Sequence, residues 1–106
     1  MRTRNKKLAD HGVYPEDEVI LRERCRRASG YDRELLYQIC CAVAPGLGKY
    51  IFNSLTINRC GYDAQMRRDY IPATKADFYG YQRKALAEFY RILRLLGRWE
   101  DKDEID

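Results

Sequence analysis

The chain has 106 residues, a net charge of +4, 45% apolar and 34% charged residues, a size that fits one domain and excludes two independent cores. No run of roughly 18 apolar residues occurs, which excludes a membrane-spanning helix. The basic stretch at residues 1–8 is followed by no apolar segment, so it does not read as a secretory signal, and a soluble, cytoplasmic protein is expected.

Residues 1–10 read as a mobile basic arm, with Arg2, Arg4, Lys6 and Lys7 and no acid among the first nine. A first helix is expected to open at Pro15, since proline suits the first helical position. Glu16, Asp17 and Glu18 then sit where the helix dipole favours negative charge. The spacing of Leu21, Cys25 and Ala28 gives it an inward face, and Gly30 is expected to stop it after Ser29. Asp32 is the candidate N-cap of a second helix, whose stripe is Leu35, Leu36, Ile39, Cys40 and Val43. Ala44, Pro45 and Gly46 end it, and a third helix follows with Leu47, Ile51 and Leu55 turned inward.

The last third changes character. A short helix from Tyr62 to about Asp69 is predicted, interrupted at Pro72, which disfavours helix in the residue before it. Thr74 offers an N-cap with Asp77 three residues on, and one long helix runs from Lys75 to Leu96 and ends at Gly97. Its apolar positions are Phe78, Ala85, Leu86, Phe89, Ile92, Leu93 and Leu96. Arg83, Lys84, Arg91, Arg94 and Arg98 lie on the other face. No alternating β-branched run appears, so the expected fold is all-α: a small bundle of about five helices with a C-terminal helix-turn-helix and a long last helix. Residues 11–98 form the single domain, with the helix-turn-helix at about 62–96, and residues 99–106 form an acidic tail.

Charge is unevenly spread. Residues 59–98 carry nine basic and four acidic side chains, while residues 99–106 carry five acids and Lys102. A basic block of this kind is the footprint of a polyanion binder. A short helix, a turn and a capped helix with basic and aromatic residues also describe a helix-turn-helix, whose second helix enters the major groove by its N-terminal end. Lys75, Ala76, Tyr79, Gln82 and Arg83 are then the candidate reading residues. Arginine and lysine suit guanine, and glutamine suits adenine. Lys84, Arg91 and Arg94 would meet phosphates. Tyr62, Met66 and Phe78 would hold the two helices together.

Other chemistries have little support. Cys25, Cys40, Cys41 and Cys60 form no C-x-x-C pair, and the one histidine, His11, falls in the arm region, so no metal is expected. No Ser-His-Asp, Cys-His or phosphate-cradling glycine pattern is present, so neither catalysis nor a cofactor is expected.

The block from Gly61 to Leu86, with Tyr62, Phe78, Tyr79, Arg83, Lys84 and Leu86 at the matching positions, resembles the C-terminal helix-turn-helix of small phage regulators of the ArpU and RinA kind. Those in turn resemble region 4 of sigma factors. The likeness covers roughly residues 47–96 and departs from the pattern at Gly80. It implies a phage or mobile-element regulator that binds duplex DNA, with dimerisation as an option because twofold operators reward it. The competing expectation is an interaction protein that blocks a host nucleic-acid-handling machine, such as an anti-CRISPR inhibitor of a nuclease effector. The acidic start of helix 1 and the acidic tail would then face a basic groove.

Overall fold

The computed structural model describes residues 7–99. Among them are a 3-10 turn (Leu8–His11) and five α-helices: α1 (Pro15–Arg26), α2 (Gly30–Val43), α3 (Gly48–Thr56), α4 (Tyr62–Met66) and α5 (Lys75–Leu95). No strand occurs among the described residues, and the fold is the all-helical bundle that the stripes predict. No helix there is long and apolar enough to cross a membrane.

The domain begins earlier than the sequence suggests. Leu8 and Val13 are buried, and the Val13 amide donates to the Leu8 carbonyl at 3.1 Å. These two apolar anchors fix the 3-10 turn against α5. Residues 8–10 therefore belong to the fold rather than to a mobile arm, and residues 1–6 lie outside the described residues. At the other end Trp99, expected in the tail, packs edge-on against Tyr90 with ring centroids 5.0 Å apart. Residues 100–106 again lie outside the described residues.

Helix α1 opens at Pro15 with its three acids in the first turn, as expected, but it ends at Arg26. Gly30 does not stop it. Gly30 is the first residue of α2, and Ser29, not Asp32, is the extended N-cap residue. Asp32 is used instead as an ion-pair hub, accepting from Arg24 at 3.1 Å and from Arg98 at 2.8 Å. Burial works to raise the Asp32 carboxyl, but the hydrogen bond from Arg98 and the charge and hydrogen bond of Arg24 outweigh it and hold the group below its usual value.

Helices α2 and α3 cross closely because Gly48 has no side chain. A β-carbon there would lie 2.6 Å from both the Cα and the Sγ of Cys41, inside any tolerable contact. Helix α5 is the centre of the bundle and packs against every other element. It buries Phe78, Ala85, Leu86, Phe89 and Leu93 completely. Truncating a buried phenylalanine to alanine costs about 3–5 kcal/mol, a large part of the roughly 5–15 kcal/mol that holds a small domain together. Thr74 caps α5, its Oγ1 accepting from the Asp77 amide at 3.1 Å. At the far end Gly97 takes φ 69°. The Arg98 and Gly97 amides close back on the Leu93 and Arg94 carbonyls at 2.8 and 3.1 Å, a paired closure that glycine permits.

Candidate nucleic-acid interface

Helix α4 has only five residues, and residues 67–74 connect it to α5. The corner is looser than the three- or four-residue turn of a helix-turn-helix. It is nonetheless well tied. Tyr62 and Phe78 meet edge-on at 5.3 Å, the Tyr62 hydroxyl donates to the Ala73 carbonyl at 2.6 Å, and the Met66 thioether accepts from the Ile71 amide at 3.2 Å. Below the corner, buried Gln65 donates to the Tyr50 and Cys60 carbonyls at 2.8 and 2.9 Å. Gln65 thus pins α4 to α3, a role that no spacing or composition signal in the chain foreshadows.

The residues expected to read bases are largely spent on the fold. Gln82, a candidate for an exposed base contact, is only 6% exposed. Its Nε2 donates to Ser54 Oγ at 3.0 Å and its Oε1 accepts from Arg22 Nη1 at 3.2 Å. Covered by α1 and α3, it is a buried polar bridge and cannot reach a base edge. Tyr79 is half-buried, and its hydroxyl accepts from the Tyr62 amide at 3.1 Å, joining the start of α4 to α5. Lys75 is exposed, with its Nζ 2.7 Å from the Asp63 carboxylate. That hydrogen bond raises its already high pKa, so it remains a cation. Ala76 is exposed beside it, and Arg83 is half-buried.

The remaining three come together elsewhere. Lys84, Arg91 and Arg94 line one open groove of about 590 Å³ with Ala87, Glu88, Tyr90 and Leu95 of α5 and with His11 and Gly12. Arg91 clasps Glu88 through two hydrogen bonds of 3.1 and 2.6 Å, which holds the Glu88 carboxyl below its usual value. Arg94 donates to the Tyr90 hydroxyl at 2.9 Å and lies 5.4 Å from that ring's centroid. Tyr90 in turn donates to Asp17 on α1 at 2.6 Å. Burial first, then the bond to Asp17, push the Tyr90 phenol above its ordinary pKa, so it stays a neutral donor. The groove therefore has a fixed phenolic floor and exposed cationic rims. Lys84 and Glu88 also border a second groove of about 540 Å³ on the α2 side, floored by Leu35, Ile39, Val43 and Ile92.

No protein-family model matches the chain, and no curated protein or solved structure shows detectable similarity to it.

Two of the cysteines are chemically quiet. All four cysteines are free thiols, and burial pushes Cys25 and Cys40 up to about 12. Thiols held neutral in this way are poor nucleophiles and poor metal ligands. Among the described residues no group of three or more histidine, cysteine, aspartate or glutamate side chains could hold a metal ion.

Proposed function

We propose that the protein binds duplex DNA through its phosphates, using the α5 groove rather than the N-terminal end of α5. The observation that carries this reading is the convergence of Lys84, Arg91 and Arg94 on one groove whose opposite wall is the 3-10 turn. That turn begins directly after residues 1–7, which hold Arg2, Arg4, Lys6 and Lys7. The basic N-terminal segment therefore joins the fold beside the cationic rims, and together they supply seven positive charges. Phosphate contacts of this kind give affinity and position without reading sequence. The resemblance of residues 61–86 to phage regulators supports a regulatory role in a phage or mobile element, with α4 and the corner as scaffold.

Fluorescence anisotropy of a labelled 30-base-pair duplex across a salt series tests the reading. Seven phosphate contacts give a log–log slope of about −6, and the sharing of Arg91 with Glu88 reduces it towards about −5. Replacing Lys84, Arg91 and Arg94 together by alanine should make the slope shallower by about two to three units. Absence of binding at tens of micromolar protein in low salt would sink the proposal.

A second reading, as a protein-interaction inhibitor of a host machine of the anti-CRISPR kind, is favoured by one feature. Glu16, Val19, Ile20 and Glu23 share the outer face of α1 at helical spacing and are all exposed, with Val19 72% exposed. An apolar centre flanked by Glu16 and by the Glu23–Arg27 ion pair, 2.8 Å across, suits a protein groove. Under this reading Val19→Asp removes inhibition of the host nuclease and leaves any duplex binding intact.

A further inference from the structure

Helix α1 is covered on one side only. Leu21 and Cys25 are fully buried, whereas Glu16, Val19, Ile20, Glu23, Arg26 and Arg27 are exposed. Those six fall at i, i+3, i+4, i+7, i+10 and i+11, a single strip along the outside of the helix. Its middle is apolar, with Val19 72% and Ile20 42% exposed. An apolar centre between charged ends is the pattern of a contact surface.

The charges along α1 are segregated. Its first turn holds Glu16, Asp17 and Glu18, and its later turns hold Arg22, Arg24 and Arg26 against Glu23 alone. This order suits the dipole of the helix itself, and it also makes the strip complementary to its own copy. In an antiparallel pair about a twofold axis level with Leu21, Glu16 stands level with Arg26 of the second copy. Ile20 then lies about 3 Å along the helix from its own counterpart. A parallel pair would instead set like charges together. Neither Glu16 nor Arg26 takes part in an ion pair among the described residues. Glu23 is already held by Arg27 at 2.8 Å, so it brings no unpaired carboxylate to the seam.

The geometry points to a second copy of this chain as the occupant of the outer face of α1, in an antiparallel helix pair with twofold symmetry. The charge match favours this occupant over the host protein of the inhibitor reading, which would need the same face. Asp17, which ties α1 to Tyr90 in the α5 groove, is six residues from Glu23 and so about a third of a turn round the helix. Pairing through the strip therefore leaves the groove open. One helix pair is smaller than the roughly 800 Å² per partner of a standard interface, so the dimer is weak and reversible. The claim is independent of DNA binding.

Sedimentation equilibrium of the full chain in low salt, from micromolar to near-millimolar protein, tests it. The expected result is a monomer–dimer equilibrium that Val19→Asp abolishes. Glu16→Arg and Arg26→Glu should each weaken association by about tenfold or more, since each reversal acts twice across the symmetric pair. The double variant should return the association towards that of the parent. All three positions are exposed, so thermal melts of the monomeric forms should stay close together, which separates loss of pairing from loss of fold. A parent chain that stays monomeric at the highest concentration would overturn the proposal and leave the face to a host protein. A dimer indifferent to these substitutions, or a double variant no better than the single ones, would overturn it equally.

Discussion

The two ends of α5 carry similar residue types and use them in opposite ways. Over the first eight residues, Lys75, Tyr79 and Gln82 all bond back to the molecule: to Asp63, to the Tyr62 amide, and to Ser54 and Arg22. From Lys84 onward the cations Lys84, Arg91 and Arg94 stand at the surface, and the bonds of Arg91 to Glu88 and of Arg94 to Tyr90 lie along an open groove. The difference follows from what covers the helix. At Gln82, α1 and α3 supply Arg22 and Ser54 on either side, and a buried amide without partners would suffer a desolvation penalty of about 1–3 kcal/mol. Past Gln82 the strip carrying Lys84, Arg91 and Arg94 borders open grooves beside the 3-10 turn and α2, so charges there keep their water. A helix can therefore be basic along its length and offer a ligand only one of its halves.

The triple alanine variant of Lys84, Arg91 and Arg94 strikes hardest at this contrast. It should weaken duplex binding by about 100-fold near 0.1 M salt while leaving the denaturation midpoint nearly unchanged, since these are surface contacts. The opposite pattern is expected of Gln82→Ala, which strands Ser54 and one arm of Arg22. Chemical denaturation should show a loss of about 2 kcal/mol, with duplex affinity of the folded protein unchanged. Asp32 anchors the far end of α5 in a pH-dependent way. Its folded-state pKa is lowered, so its contribution is present above the unfolded value of 3.8 and is lost as pH falls through the folded value. Asp32→Asn should be destabilised by about 1–2 kcal/mol at neutral pH and lose less than the parent on acidification below that unfolded value, seen by thermal melts across pH. Tyr79→Phe should cost about 1 kcal/mol through the lost acceptor for the Tyr62 amide. Smallest of all, Lys75→Ala should leave the melting temperature and the duplex affinity nearly unchanged, because its ion pair with Asp63 is exposed.

Much of the fold is legible in the chain because it is written in helical spacing and stop signals. Pro15, Thr74, Gly97 and the Leu36–Ile39–Cys40 stripe all act as their chemistry predicts. The Ser29–Gly30–Asp32 corner is ambiguous from sequence, since a glycine between two helices can end one or begin the next. The backbone decides between the two: α1 ends at Arg26, and Gly30, at φ 56°, opens α2 after an extended Ser29. Gln82 reads as a base contact if its chemistry is weighed alone, yet its position points inward. It lies four residues after Phe78 and four before Leu86, on the buried stripe, where geometry outranks side-chain polarity. Lys84, Arg91 and Arg94 stand out in the sequence as surface cations, but their pairing with the 3-10 turn does not. That contact depends on Leu8 and Val13, an apolar pair too sparse to show a period.

Whether the α5 groove, and not the start of α5, is the polyanion surface can be read from one titration. A short unlabelled duplex is added to the 15N-labelled protein, and backbone and arginine side-chain signals are followed together. The largest changes are expected at Lys84, Arg91, Arg94 and His11, with Lys75, Ala76 and Tyr79 nearly still. Changes centred on residues 75–79, with the groove unmoved, would contradict the assignment of the groove.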